Sequence, residues 1–475
     1  MLPRAVYNFY IIYTLEFPEL IMKRLPSLFL LCCLTVCASA QSINYQKSID
    51  KALAISAKEN KPLFIVVSAP VRVLNAPPGA SFTTGLDAKE TAVYYNDRFV
   101  NFSASIADSA GIKLRTKYNL NIFPAYVFLD SKGNLIYKDS QNSPYPDKFI
   151  GMANKVTERI ESGKTLADYD QLYEKKALTA LELKEYIVYR EELGLLDNGP
   201  ILEEYADHLS ISSLNDYKTV LFLLKASPLA YGRAFNLCFA NKKISDSIYK
   251  YEPVTVRSDI NNHIIVYTRN EAIRTKNVQM AVNAATFARN TWGSNYREGT
   301  KTYTSNMMTF YKAVKDTTNF FRQAVGYYDG YYMTISPDSA RKQQQILQDA
   351  NTKRILERAQ ASAPAGVMVK AVPAPNSPLP TATTLNTGAW DFYSTGTKNT
   401  FYLKRALTWV KRAIELDARS SYFDTMAHIM YRLHQYDDAI ANQTKAIEMA
   451  ATESQTKLEQ DNMRAELQKM KSNSL

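Results

Sequence analysis

Apolar residues recur at helical spacing soon after position 40. Ile49, Leu53 and Ala57 stand four apart, and Ala52 widens the stripe, which predicts an amphipathic helix ended by Asn60 and Pro62. Residues 63–67 are a short, apolar, β-branched run that reads as a buried strand. Val100, Phe102, Ala104 and Ile106 alternate with polar residues as a second strand. Residues 111–118 read as a helix and 125–129 as a third strand. A turn follows at 131–134, where Gly133 can take positive φ, with 135–137 as its hairpin partner and 146–160 as a helix. The predicted order is helix, strand, strand, helix, strand, strand, helix, with an unassigned segment after the first strand.

From residue 161 the alternation of strands disappears. Leu178, Leu181, Leu183, Tyr186, Ile187 and Tyr189 give a helical pattern, punctuated by Asn198-Gly199-Pro200. Further helices are predicted at 201–209, 217–225, 278–290, 307–314 and 320–328, an arrangement that suggests an array of α-hairpins. Residues 361–385 hold five prolines and many alanines, with no acidic or aromatic residue, and read as a linker. Beyond it the helical pattern sharpens. Leu403, Ala406, Leu407, Val410, Ala413 and Ile414 share one face, and Met426, Ala427, Met430, Leu433, Ala439, Ile440, Ala446 and Ile447 fall on two more. Ala406 with Ala439, and Ala413 with Ala446, repeat at 33 residues, close to the tetratricopeptide period. Trp390 fits the large aromatic of a preceding first helix. Leu458, Met463, Leu467 and Met470 lie on a charged final helix that fits a cap.

The first forty residues change the picture of where the chain works. Met22-Lys23-Arg24, the apolar run at 25–36 and Ala38-Ser39-Ala40 have the form of a secretory signal, with cleavage expected after Ala40 and residues 1–21 as an upstream extension. The rival reading is a lipoprotein signal with Cys37 lipidated; Val36 is a poor residue before such a cysteine. Neither this run nor any later one is long enough to span a membrane, so the expectation is an exported protein, periplasmic or secreted, with no transmembrane segment in the mature chain. The five expected parts are 1–40, 41–160, 161–360, 361–385 and 386–475. The 475 residues are 46% hydrophobic and 22% charged, a globular composition. The formal charge of +11 is spread among acidic residues, and no Lys/Arg run or recognisable module points to nucleic acid.

The segments KALAISAKENKPLFIVVSA, YYNDRFVNFSASI and GIKLRTKYNLNIFPAYVFLDSKGNLIYKD together resemble the thioredoxin-like family, in the exported multidomain form common in Bacteroidetes-type bacteria. The resemblance is sharpest at NIFPAYVFLDSKGNLI, where Pro124 matches the family's cis-proline. It implies an α/β thioredoxin-like domain, followed here by an all-α helical-repeat region. The chain departs from the family at its chemistry. The family's strand runs into W-C-x-x-C, whereas this chain reads SAPVRVLNAPPGASF, with Val71 near the tryptophan and Arg72 and Asn75 near the two cysteines. Thiol–disulfide exchange needs an attacking thiolate and a resolving partner, and neither arginine nor asparagine supplies one. The resemblance therefore implies a redox-inactive domain. Its remaining role would be a groove, lined by Arg72, Asn75, Phe123 and Pro124, that pairs with an extended peptide as an added strand.

Other candidates are few. Cys32, Cys33 and Cys37 fall in the signal-like run, which leaves Cys238, between apolar neighbours, as the one free thiol of the mature chain. The cluster GYYDGYY at 326–332 offers either an aromatic platform or a core plug. His263 shows no acidic or histidine partner at ligand spacing, and His428 and His434, six apart, read as structural. There is no phosphate loop, H-E-x-x-H, G-x-S-x-G or dinucleotide fingerprint. Neither a metal nor a cofactor is expected. The expected function is non-catalytic: a polypeptide-binding, chaperone-like or scaffold module, with polypeptide clients or envelope proteins as partners. The alternatives are a residual disulfide oxidoreductase or isomerase acting through Cys238, and a structural assembly component.

Overall fold

The structure is a computed structural model that describes residues 42–69, 84–362, 377–453 and 455–475. It forms two compact units, the first ending at Ala167 and the second running from Asp168 to Leu475. An α/β unit is thus followed by an all-α one. The expected signal segment lies outside the described residues, and so do Arg72 and Asn75.

The first unit contains β1 (Tyr45–Gln46), α1 (Ile49–Glu59), β2 (Leu63–Ser68), α2 (Lys89–Arg98), β3 (Val100–Ser105), α3 (Ser109–Lys117), β4 (Ala125–Leu129), β5 (Leu135–Asp139) and α4 (Pro146–Glu161). The five strands stand in the order β1-β3-β2-β4-β5. β3 is parallel to β1 and β2, while β4 is antiparallel to both β2 and β5. Side chains along β2 alternate between two cores. Leu63, Ile65 and Val67 join Phe102, Val127 and Ala52 on one face. Phe64 joins Tyr95, Tyr126, Phe128 and Phe149 on the other. Covering both faces explains why β2 and β4 read as nearly continuous apolar runs rather than as alternating ones.

Two local expectations shift. The face that α1 buries is centred on Ala52 and Ser56, with Ile49 and Leu53 half-buried and Ala57 exposed. Small side chains let the helix lie close to the sheet, and Ser56 meets its own need by donating to the Lys61 carbonyl at 2.5 Å. The previously unassigned stretch contains α2, whose polar sequence hides a narrow buried face of Thr91, Ala92 and Tyr95. Ser48 caps α1, and Asn60 ends it in the left-handed conformation with φ of 50°.

Asp139 fastens the end of β5 to α4. Burial pushes its carboxyl up, but hydrogen bonds from Lys148 Nζ at 2.7 Å and from the Gln141 and Ser140 amides outweigh burial and hold it below the ordinary carboxylate range. A depressed folded-state value means the stabilisation is present above the ordinary carboxylate pKa of about 4 and is lost as pH falls through the lower folded value. Asp139→Asn should therefore cost about 1–3 kcal/mol near neutrality. The gap from the native chain should narrow in acid. Urea denaturation of both proteins at neutral and acidic pH checks this; a gap that persists undiminished in acid counts against it.

Among the described residues, the regular structure of the second unit is helical. Its first half comprises α5 (Leu166–Glu174), α6 (Ala180–Glu192), α7 (Gly199–Asp207), α8 (Tyr217–Lys225), α9 (Arg233–Ala240), α10 (Lys242–Tyr251), α11 (Val254–Thr275) and α12 (Val278–Asn290). Then follow α13 (Tyr296–Ala313), α14 (Thr317–Tyr331), α15 (Pro337–Ser362), α16 (Pro380–Ser394), α17 (Thr400–Leu416), α18 (Ser420–Arg432), α19 (Tyr436–Thr452) and α20 (Lys457–Lys471). From α11 to α14, and again from α16 to α20, each helix packs on the next; α16 also reaches α18. Ala406 and Ala413 on α17, and Ala439 and Ala446 on α19, are completely buried, which lets neighbouring helices approach closely. On α20, Leu467 and Met470 are buried, but Leu458 is exposed.

The composition-based linker at 361–385 does not separate two cores. Phe320, Phe321 and Tyr328 of α14 share one core with Phe392 of α16 and Trp409 of α17. Residues 380–385 are the opening turns of α16 rather than linker. Pro380 occupies a first-turn position, where its missing N–H costs no helical hydrogen bond, and Ala382 and Leu385 are buried. Among the described residues, no helix is long and apolar enough to cross a membrane.

Candidate functional site

Of the four expected groove residues, the structure describes Phe123 and Pro124, which lead into β4 through a cis peptide bond. Both are half-buried, and Phe123 packs against the core shared by α1 and β2. The preceding Ile122 is exposed. β4 itself is paired on both sides, so its own backbone groups are taken.

Cys238 lies on α9 and is fully buried. Burial pushes its thiol up to about 12, with the negative charge of Glu203 adding to the effect and a backbone hydrogen bond opposing it. A thiol so held has almost no thiolate with which to attack a disulfide. In a variant with Cys32, Cys33 and Cys37 changed to serine, Cys238 should be silent to a thiol-reactive chromogenic disulfide under native conditions. It should react fully once urea unfolds the chain. A fast stoichiometric reaction of the native protein would contradict the buried assignment.

The tyrosines at 326–332 are largely a core plug. Tyr327 and Tyr328 are buried, and the Tyr328 ring centroid stands 4.8 Å from that of Trp409. Asp329, between them and Tyr331, pairs with Arg405 and accepts the Trp409 Nε1–H at 2.8 Å. His263 differs from expectation. It lines a cavity of about 320 Å³ with Glu191, Lys225 and Asp259, and Asp259 lies one turn earlier on the same helix. Burial pushes the Glu191 carboxyl up, against the pull of Lys225. Among the described residues no group of three or more His, Cys, Asp or Glu is arranged to hold a metal.

The most developed site is one that spacing along the chain hides. A cleft of about 480 Å³ opens between α16, α18 and α20. From α16 come Trp390 and Tyr393; from α18 come Ser421, Asp424 and His428. Gln455 stands at the turn before α20, which adds Glu459, Asn462, Met463 and Glu466. His428 is only 5% exposed yet forms part of the wall. Its Nδ1 is 2.8 Å from the Asp424 carbonyl oxygen. A carbonyl can only accept, so Nδ1 carries the hydrogen. Among the described residues Nε2 makes no hydrogen bond, and Glu466 Oε2 stands 3.6 Å from it. The rings of Trp390 and Tyr393 stand edge-to-face on the imidazole, at 5.5 Å and 5.2 Å between centroids.

Buried contacts set this wall in place. Gln443 of α19, with no exposed surface, donates to Asp424 Oδ1 at 2.7 Å and to the Met463 carbonyl at 3.2 Å, tying α18 to α20. Among the described residues its Oε1 has no partner. Arg432 stacks on Tyr393 at 3.6 Å and donates to that residue's carbonyl, which holds the ring from behind. The sequence signal is Trp390, which fits the large aromatic of a first helix and stands 38% exposed in the cleft wall. The buried tryptophan is instead Trp409.

No family model matches the chain, and no curated protein matches it.

Proposed function

We propose that this is an exported, non-catalytic protein that binds polypeptides, acting as a chaperone-like or scaffold module in the bacterial envelope. On this reading its first unit is a thioredoxin-like domain without redox cysteines, and its last helices are tetratricopeptide-like hairpins. The strand order, with the antiparallel β4 beside three parallel strands, supports the first assignment. The hairpins with buried alanines at 33-residue spacing support the second.

The cleft between α16, α18 and α20 carries the functional reading. It joins an exposed indole, a buried histidine with a free ring nitrogen and several polar side chains, on helices held rigid from behind. Concave surfaces of this kind serve recognition, because preorganised walls cost little ordering on binding. The oxidoreductase alternative finds no support in Cys238, whose thiol is sealed in an apolar core.

Two assays test the proposal together. A permanently unfolded, carboxymethylated polypeptide carrying a fluorophore should bind the full chain saturably, as read by anisotropy. Insulin reduction by dithiothreitol should proceed at the rate of the protein-free control. Absence of saturable binding rejects the polypeptide-binding role, and accelerated insulin reduction rejects the non-catalytic one.

A further inference from the structure

We infer that the α16–α18–α20 cleft receives a lysine or arginine side chain of an extended polypeptide, an inference that rests on the polypeptide-binding reading above. Three carboxylates, Asp424, Glu459 and Glu466, line the cleft, and among the described residues no lysine or arginine does. Of the cations nearby, Lys469 pairs with Glu466 Oε1 at 2.8 Å and Arg432 lies against Tyr393. Glu459 also caps the start of α20 through Thr456, and Asp424 Oδ1 accepts from Gln443, so each carboxylate is held in place. The three carboxylates still present acceptor oxygens along the wall.

His428 is what turns this acidic wall into a site for a particular kind of guest. The ring is more than nine-tenths buried and its Nδ1–H is spent on the Asp424 carbonyl. In the neutral ring Nε2 then offers only a lone pair, 3.6 Å from Glu466 Oε2, which also offers only lone pairs. Two acceptors facing each other without a donor between them are electrostatically unsatisfied. A positively charged group with several N–H bonds, entering from the cleft, would donate to both at once. Trp390 supplies a partly exposed indole at the same rim, the aromatic face that cations favour most. A carboxylate-bearing or neutral apolar guest satisfies none of these groups.

The test uses the full chain and a fluorescent, N-acetylated and C-amidated host peptide of glycine, serine and alanine. Its central position carries lysine, arginine, norleucine or glutamate. A fifth peptide has central norleucine and a free N-terminal amine. The lysine and arginine peptides should bind about tenfold more tightly than the norleucine peptide, and the glutamate peptide most weakly. In Glu466→Gln that preference should fall to about twofold or less, with helicity unchanged by circular dichroism. Trp390→Ala, at a partly exposed position, should weaken the same preference and provides a second variant. Equal affinity for lysine and norleucine peptides overturns the inference while leaving polypeptide binding in place. Preference for the free-amine norleucine peptide over the lysine peptide also overturns it. Failure of every peptide and of the unfolded polypeptide to bind overturns both readings.

Discussion

Trp409→Ala should lower the stability of the helical unit by about 3–5 kcal/mol. Trp409 has no exposed surface, and its ring centroid lies 4.8 Å from those of both Tyr328 and Phe392. It therefore joins α14, α16 and α17, the helices that lie on both sides of residues 363–376. Truncation leaves a cavity that three rigid helices cannot collapse into, and it removes the Nε1–H that Asp329 accepts. Asp329 keeps Arg405, so the carboxylate is not abandoned, and the lost packing dominates. Urea denaturation followed by far-ultraviolet circular dichroism should show the transition of the helical unit move down by about 1 M or more. Trp409→Phe, which keeps most of the ring but not the donor, should lose distinctly less. A Trp409→Ala transition coincident with that of the native protein would show that α14, α16 and α17 do not share the core described above.

Gly111→Ala should destabilise the α/β unit by about 3 kcal/mol, although the same change usually favours a helix. Gly111 lies in the first turn of α3, and a Cβ there would stand 1.9 Å from the Ser105 carbonyl oxygen and 2.4 Å from its carbon. Those are backbone atoms at the end of β3, so no side chain can rotate away; α3 would have to lift off the sheet. Gly151→Ala in α4 is the control, because among the described residues nothing lies within 4 Å of a Cβ at that position. It should stabilise by up to about 1 kcal/mol through helix propensity alone. Thermal and urea unfolding of the two variants should therefore move in opposite directions. Movement in the same direction would mean that propensity, not the close approach of α3 to β3, governs position 111.

Much of the local structure was legible because burial is periodic. The strand at 125–129 and the helices at 217–225 and 278–290 match β4, α8 and α12 residue for residue. Helix α2 escaped notice because its residues are mostly polar and only Thr91, Ala92 and Tyr95 are buried. The opening of α16 was read as linker because Pro380 and the threonines around it signal a loop by composition. In the folded chain the proline starts a helix, and Thr381 is buried.

The candidate site was harder. His428 was set aside because His434 stands six residues away, off the spacing for shared ligation. Its real neighbours, Trp390 and Glu466, lie on other helices, tens of residues away in either direction. Spacing tests see only one helix at a time, and this cleft is made by three. His263 is only in part such a case, since Asp259 stands four residues earlier on α11 and is legible from spacing, whereas Glu191 and Lys225 reach its cavity from α6 and α8.

By itself the sequence determined the α/β-then-α order, the segments with strand or helix period, and the absence of a cysteine pair after β2. Those properties depend on neighbours a few positions apart, which the chain itself specifies. Only the tertiary structure decided that the helices before and after residues 363–376 share a core, that Trp409 is buried while Trp390 is exposed, and that His428 faces carboxylates across a cleft. These depend on which helix faces which, and helices with similar apolar stripes can pair in many ways until packing selects one.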